Sequence, residues 1–380
     1  MTGPLRGIRV IELDAIGPVP FCGMLLADMG AEVIRIDRAR SGSRIGRLAR
    51  VCGRGKRSIA IDLKDEEGRG LLLRLAATAD VLIEGLRPGV AERLGIGPEQ
   101  VAAVNPRLVY GRMTGWGQDG PMAPMAGHDI NYIGLIGALH AIGDESPVPP
   151  LNLVGDYGGG ALYLALGVMA ALLERATSGI GQVIDAAMVD GAASLMTPTY
   201  QLAAMGLWTD ARNSNLLDGR APFYRAYETA DGGYMAVGAI EPQFYAELLE
   251  LLGLDAEQLP SQMDRSGWSE TQEKIAAAFF SEPRRHWESV FAGSDACTTP
   301  ILSLEEAPAH DHNQARQVFS AGTDGSDPAP APRFSRSSGE TATAAPRPGA
   351  DTAALLGELG VDSAGCARLA AAGVVMVGQA

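Results

Sequence analysis

The chain has 380 residues, of which 46% are hydrophobic and 20% are charged, a balance typical of a globular protein with two or three domains. Its formal net charge of -14 opposes general binding to nucleic acid or to anionic membranes, because both would repel the protein. Four cysteines without close pairing predict reduced thiols rather than disulfides or a metal cluster. The sequence shows neither a secretory signal pattern nor an apolar run of about 18 residues. We therefore expect a cytoplasmic protein that does not span a membrane.

The first third of the chain alternates between strand-like and helix-like segments. Short apolar runs predict strands at residues 8–13, 31–36, 58–63, 79–84 and 108–113. Helices are predicted between strands, at residues 20–29 and 66–77. This alternation predicts an α/β fold with a doubly wound parallel sheet. A nicotinamide site is not expected, because residues 14–20 lack the Gly-x-Gly-x-x-Gly turn.

The second third begins with two long apolar helices, predicted at residues 129–142 and 160–175, the latter entered through three glycines. A hairpin signal, with an Asp231-Gly232 turn between two β-rich runs, then opens a smaller α+β domain. We expect four parts along the chain: a large α/β domain at 1–196, a linker at 197–220, a small domain at 221–318, and a C-terminal segment at 319–380 that returns to the large domain.

One basic segment stands out in this acidic chain. From Arg38 to Arg57 there are eight basic residues and no acidic residue, together with glycines at 42, 46, 53 and 55. Glycines let a backbone approach a ligand closely, and a local positive field attracts an anion. The segment predicts binding of a discrete phosphate-bearing ligand, with a solvated basic loop as the alternative.

His128, Asp129 and Asp156 are the candidate catalytic groups. The imidazole of His128 has an unperturbed pKa of about 6.5, and it precedes a predicted helix whose free N–H groups would stabilise a developing oxyanion. Two proton acceptors on separate segments are what an enzyme needs to invert a carbon centre, so racemisation is the hypothesis. The alternatives are a histidine that only packs beside a helix, and acidic residues, Asp156 and also Glu241, that only cap helices.

Several motifs resemble the family III CoA-transferase superfamily and, within it, the alpha-methylacyl-CoA racemases. They include Gly127-His-Asp-Ile-Asn-Tyr132, Pro150-Leu-Asn-Leu-Val-Gly-Asp156, Ala221-Pro-Phe-Tyr224, Ala236-Val-Gly-Ala-Ile-Glu-Pro242 and Asp295-Ala-Cys-Thr-Thr-Pro-Ile301. The resemblance extends from about residue 5 to about residue 336.

The resemblance implies a cofactor-independent racemase that acts on 2-methylacyl-CoA thioesters, with His128 and Asp156 as opposed acid/base groups and no metal. It implies an interlocked homodimer in which Glu241 partners the histidine across the interface. It also implies contacts with the CoA part of the substrate from Arg38, Ala60, Leu63, Lys64, Arg87, Arg93 and Tyr132.

Two other functions stay open from the sequence. A CoA-transferase would use Asp129 as the nucleophile that forms an aspartyl-CoA anhydride, although the preceding histidine favours proton transfer. A non-catalytic acyl-CoA-binding protein is the second alternative. Ala15, Val19 and Arg220 stand where the family commonly has glycine, so the acyl pocket is expected to differ in shape.

Overall fold

The computed structural model describes residues 3–39, 51–322, 325–337 and 343–378. Contacts divide the chain into two units. The first contains Met1–Ala138, Pro150–Thr197 and Gly322–Ala380, and the second contains Leu139–Pro149 and Pro198–Ala321. Residues 198–220, expected to be a linker, therefore group with the second unit, as do residues 139–149, expected within the large domain.

The described residues form the following elements. The strands are β1 (Arg9–Leu13), β2 (Glu32–Arg38), β3 (Lys56–Ile61), β4 (Val81–Glu84), β5 (Val109–Thr114), β6 (Val183–Ala187), β7 (Arg225–Glu228), β8 (Tyr234–Val237), β9 (Thr298–Pro300), β10 (Phe319–Ala321), β11 (Ser326–Pro328) and β12 (Val375–Met376). The helices are α1 (Pro18–Asp28), α2 (Glu66–Ala76), α3 (Val90–Arg93), α4 (Pro98–Val104), α5 (Asp129–Leu135), α6 (Ala138–Ala141), α7 (Leu162–Ser178), α8 (Met188–Leu195), α9 (Thr197–Ala204), α10 (Pro242–Leu251), α11 (Trp268–Phe280), α12 (Arg284–Phe291), α13 (Asp311–Ala315), α14 (Thr352–Glu358) and α15 (Ser363–Ala371). A π-helix, Leu153–Ala161, leads directly into α7.

The first unit is built on a seven-stranded sheet in the order β12-β3-β2-β1-β4-β5-β6. Strands β1 to β6 run parallel, and β12 joins β3 as an antiparallel edge. The chain therefore builds the sheet outwards from β1 in one direction and then from β4 in the other. This confirms the predicted doubly wound α/β fold.

Both faces of this sheet are covered, and alternate residues of each strand point to opposite faces. Ile11, Ile34 and Leu82 belong to one apolar cluster, which also contains Leu355 and Leu369 of the C-terminal helices. The intervening residues belong to a second cluster formed with α1 and α7, and they include Val10, Val33, Val81 and Ile83. Two-sided burial explains why the strands read as continuous apolar runs.

Ion pairs with distant carboxylates occupy part of the basic segment. Lys56 is completely buried and binds Glu12 of β1, with a Nζ–Oε2 distance of 2.6 Å. Arg54 binds Asp28 at the end of α1, and Arg57 binds Glu32 and Glu358. Three of the eight basic residues of the segment are therefore held in ion pairs within the protein. Arg40, Arg44, Arg47 and Arg50 lie outside the described residues.

The two long helices predicted in the middle of the chain differ from the observed elements. The first divides into α5 and the short α6, since Gly137 between them adopts a φ of +78°. The second starts earlier than predicted, as the π-helix at Leu153, and the three glycines lie inside that helix rather than before it. A π-helix is uncommon and is frequently found at functional sites.

The combined helix Leu153–Ser178 is long and apolar enough, by length and composition, to cross a membrane, and it is the one such helix among the described residues. This corrects the expectation that no segment has these properties. One face of the helix packs on the sheet, where Leu164 lies over Gly111 of β5. Core helices of globular domains share this composition, so the helix alone is weak support for membrane insertion.

The second unit has the predicted α+β character. Strands β7, β8 and β9 form an antiparallel sheet, and the Asp231-Gly232 turn joins the first two. Its core is aromatic, with Tyr227 stacked on Phe279 and Trp287 packed edge-on against the same ring. Helix α10 begins at Pro242 as predicted, directly after Glu241.

Close packing between the π-helix and α8 depends on two glycines. A Cβ atom placed on Gly191 would lie 1.9 Å from the carbonyl oxygen of Gly159. We expect Gly191→Ala to lower the free energy of unfolding by about 1–3 kcal/mol, because the backbones must separate. Gly70 of α2 is a matched control, since a Cβ there would meet nothing within 4 Å. Gly70→Ala should stabilise the protein slightly in chemical denaturation, and equal effects of the two variants would contradict the packing argument.

Candidate active site

The carboxyl ends of β1 and β4 meet where the sheet changes its winding direction. In doubly wound sheets, ligands bind in the crevice at this switch point. The loop after β1 contains Gly17, and the loop after β4 contains Gly85. A Cβ on Gly85 would lie 3.0 Å from Val19 and 3.5 Å from Ala15. Ala15 and Val19, two of the three residues that depart from the family pattern, therefore lie beside the second loop.

Most of the predicted CoA contacts follow the carboxyl ends of neighbouring strands. Arg38 ends β2, Leu63 and Lys64 follow β3, and Arg87 follows β4, so parallel pairing places all four at one edge of the sheet. Arg93 ends α3, which starts shortly after this edge. The side chain of Arg38 is 68% exposed and lies 3.7 Å from Asp14. Exposed cations at one edge are suited to a phosphate-bearing ligand.

The other two predicted CoA contacts, Ala60 and Tyr132, are buried. Ala60 has no exposed surface, and its N–H donates to the hydroxyl of Thr352. Tyr132 packs edge-on against Trp116, with 4.8 Å between ring centroids. Burial raises the pKa of Tyr132 to about 12, with smaller contributions from Asp156 and Asp129. Tyr132 is thus a neutral group within electrostatic reach of Asp129 and Asp156.

His128 is exposed at the residue before α5, where the backbone is extended. Its N–H donates to Oδ1 of Asn131 at a distance of 3.0 Å, which caps the helix and fixes the entry of the chain. The next two residues, Asp129 and Ile130, occupy helix positions whose N–H groups have no acceptor inside the helix. An imidazole and adjacent backbone donors are therefore presented together.

Asp156 lies in the first turn of the π-helix and is partly buried. Asn152 donates a hydrogen bond to its Oδ2 at 3.0 Å. A Cβ on Gly17 would lie 3.4 Å from the same oxygen, so the loop after β1 passes close to the carboxylate. The side chain of Asp156 consequently lies at the switch-point crevice.

Asp129 connects the two candidate acid/base segments. Its buried carboxylate accepts a hydrogen bond from the backbone N–H of Asp156, with 2.7 Å between Oδ2 and N. Burial has the largest effect on the pKa of the Asp156 carboxyl and raises it. The hydrogen bond from Asn152 and the electrostatic effect of His128 lower this pKa, whereas the charge of Asp129 raises it. The structure therefore brings His128, Asp129 and Asp156 together within electrostatic reach.

Glu241 belongs to the second unit, at the residue before α10. Its charge helps to raise the pKa of Cys297, although burial is the larger cause. Cys297 lines an open concavity of about 450 Å³ together with Tyr224, Arg225 and Thr299. These residues belong to the second unit alone.

Two polar residues of the first unit were not predicted from the sequence. Asn152 precedes Asp156 by about one helical turn. This spacing predicts a contact between the two side chains only when the segment is known to be helical. Glu84 ends β4 at the switch point, where it is fully buried, accepts from the N–H of Leu86 at 2.5 Å and pairs with Arg112. Arg112 also binds Glu92 of α3. This cluster holds the loop that carries Arg87.

No group of three or more histidine, cysteine, aspartate or glutamate side chains with metal-binding geometry occurs among the described residues.

Residues 5–352 match the family described as CoA-transferase family III, and the chain belongs to that family. It is 51% identical over 337 residues to the alpha-methylacyl-CoA racemase of Mus musculus, and the matched region covers 87% of this chain and 87% of the relative. It is 49% identical over 317 residues to the protein of the same name from Homo sapiens, covering 83% of this chain and 82% of the relative. A crystal structure of a CAIB/BAIF family protein from Brucella suis is similar in fold, with a TM-score of 0.81 at 26% identity, covering 94% of this chain and 100% of that one.

Glu84 gives a pH-dependent stability that can be measured. Burial raises the pKa of Glu84 to about 7. The hydrogen bond from the Leu86 N–H and the charge of Arg112 lower this pKa, but their effects are smaller than that of burial. Between about pH 4.5 and pH 7 the folded protein holds a proton that the unfolded chain releases, so this contribution to stability falls across that interval and is level above it. We expect the melting temperature of Glu84→Gln, relative to the wild type, to increase from pH 5 to pH 7 and to level off above pH 7. Glu67→Gln is the control, since Glu67 is an exposed partner of Arg368 with a lowered pKa and should give a flat difference.

Proposed function

We propose that this protein is a racemase that inverts the α-carbon of 2-methylacyl-CoA thioesters by proton transfer through an enolate. The observation that carries the proposal is the arrangement of His128 and Asp156 on separate segments, tied together by the Asp129 contact. The two relatives named alpha-methylacyl-CoA racemase support the same substrate class. This reaction needs no metal or redox cofactor, because each step moves only a proton.

In the proposed mechanism, one of the two groups removes the α-proton and the conjugate acid of the other returns a proton to the opposite face. The backbone N–H groups of Asp129 and Ile130 stabilise the enolate oxygen, a contribution of roughly 3–4 kcal/mol for one well-placed donor. Partial burial of Asp156 favours its neutral form and so brings it closer to the balance that a two-way proton carrier requires.

The alternative within the family is CoA transfer through Asp129. A nucleophilic carboxylate must present an oxygen to the thioester carbon. In this chain Asp129 is 7% exposed, and one of its oxygens is already bonded to the N–H of Asp156. Burial and this contact favour proton transfer over attack by Asp129.

CoA binding is proposed at the edge of the sheet that presents Arg38, Lys64, Arg87 and Arg93. All four residues are exposed, while Arg54, Lys56 and Arg57 are held in ion pairs. Leu63 is a proposed apolar contact beside them. Ala60 and Tyr132 would act by supporting this surface, since both are buried.

We also propose that the protein functions as a homodimer. Leu162, Leu166, Met169 and Leu173 form one apolar face of α7 and are 37–76% exposed within the chain. Spacings of four, three and four residues keep them on a single side of the helix. A contiguous exposed apolar face is typical of an interface. A second chain would also offer Glu241 as the partner of His128, as the family resemblance implies.

The racemase proposal can be tested with one enantiomer of a 2-methylacyl-CoA in deuterated water. Wild-type protein should introduce deuterium at the α-carbon and lose optical purity, with or without a carboxylic acid acceptor. His128→Ala should slow this exchange by roughly 10²- to 10⁴-fold without weakening CoA binding, because only a proton carrier is lost. His312→Ala, which alters an exposed histidine of the second unit, should retain the wild-type rate.

Three outcomes would contradict the proposal. Thioester exchange that depends on the acceptor would identify a CoA-transferase. Binding of CoA without deuterium exchange would identify a non-catalytic acyl-CoA-binding protein. Full activity of His128→Ala would remove the assigned proton carrier.

The homodimer can be tested by sedimentation velocity. Leu166→Glu combined with Leu173→Glu should convert the dimer to a monomer, because two charges would be buried in an apolar interface. Leu304→Glu is the matched control, since Leu304 is 97% exposed in the second unit and adds the same charge elsewhere. A double variant that sediments like the wild type would exclude this face as the interface.

A further inference from the structure

We propose that the carboxylate of Asp129 is a positioning residue, which fixes the distance between the two proton carriers by holding the backbone N–H of Asp156. The inference rests on the racemase function proposed above. It assigns the side chain of Asp129 a role separate from its backbone N–H.

The contact joins two segments that are distant in sequence. Asp129 follows His128 directly and starts α5, whereas Asp156 lies 27 residues later in the π-helix. Any movement of the π-helix relative to α5 would change the separation of the two carriers. A buried, charge-assisted hydrogen bond of 2.7 Å resists such movement.

The π-helix leaves this N–H available. In a π-helix each N–H binds the carbonyl five residues earlier, so the donors of the first turn have no acceptor inside the helix. Asp156 is the fourth residue of Leu153–Ala161 and therefore needs an acceptor from outside. The Oδ2 atom of Asp129 supplies it.

Gly155 leaves space for the carboxylate. A Cβ at this position would lie 2.5 Å from Oδ2 of Asp129 and 3.3 Å from Ile133. A side chain at this position would therefore force the Asp129 carboxylate to move. The opposite side of the π-helix is held equally closely, because Gly159 contacts Ala192 of α8. The helix that carries Asp156 is thus fixed from two directions.

The side-chain role differs from that of a nucleophile or a proton carrier in what it requires. Accepting one N–H needs an oxygen and no charge, whereas nucleophilic attack or proton transfer needs an ionisable carboxyl group. Asparagine has such an oxygen at the same place and cannot ionise. Alanine has neither property.

The experiment compares Asp129→Asn and Asp129→Ala in the deuterium-exchange assay, with kcat and KM measured separately. Asp129→Asn should keep kcat within about tenfold of the wild type, while Asp129→Ala should lose on the order of 10²-fold, the cost typical of a 1 Å misplacement. KM should change little in both, since the proposed CoA contacts lie elsewhere. The acid limb of the pH profile should move to lower pH in Asp129→Asn, because the Asp129 charge raises the pKa of Asp156.

Gly155→Ala is the second test and keeps both carboxylates. It should reduce kcat with little change in KM, whereas Gly70→Ala should reduce neither. These variants decide the matter if Asp129→Ala fails to fold, and melting curves identify that case.

Two results would overturn the positioning role. One is a folded Asp129→Asn that is as inactive as Asp129→Ala, which would show that the charge or the ionisable group is essential. The other is wild-type kcat in Asp129→Ala. If the wild-type protein exchanges no α-proton at all, the proposed racemase function fails, and the positioning role fails with it.

Discussion

Two-sided burial of the parallel strands is the constraint on which the first unit depends. Helices cover both faces, so a ligand can meet the strands only where they end. The candidate catalytic and CoA-contacting groups of this unit accordingly follow strand ends or lie on the helices beside them. Arg38, Lys64 and Arg87 follow β2, β3 and β4, while His128 is reached by the connection that leaves β5.

Close approach of backbone is the second constraint, and glycine makes it possible. Gly155 admits the Asp129 carboxylate to the π-helix, and Gly159 meets α8 on the other side. A wider helix with unpaired donors in its first turn then becomes a site where a buried carboxylate can bind. Packing and chemistry are therefore linked here, since the same glycines that allow the helices to touch also place Asp156.

The strands and the α/β fold could be predicted from sequence, because apolar runs such as residues 8–13 and 31–36 are local signals. The residues His128, Asp129 and Asp156 could also be selected, through their motifs. The break after α5 could not, since Gly137 alone does not reveal its positive φ. The π-helix could not be predicted either, because three consecutive glycines are locally typical of a loop. The ion pair of Lys56 could not be predicted from the local charge pattern, because its partner Glu12 lies 44 residues away in the sequence.

The antiparallel edge formed by β12 has a consequence for how the protein is made. Ile61 and Val375 are register partners, and the cluster around Ile11 and Ile34 is completed by Leu355 and Leu369. Domains generally fold as they emerge from the ribosome, beginning with the N-terminal part. Here one apolar face of the first strands to be synthesised is not fully covered until the C-terminal segment has been synthesised. During that interval the nascent chain exposes an apolar surface, which favours chaperone binding during translation.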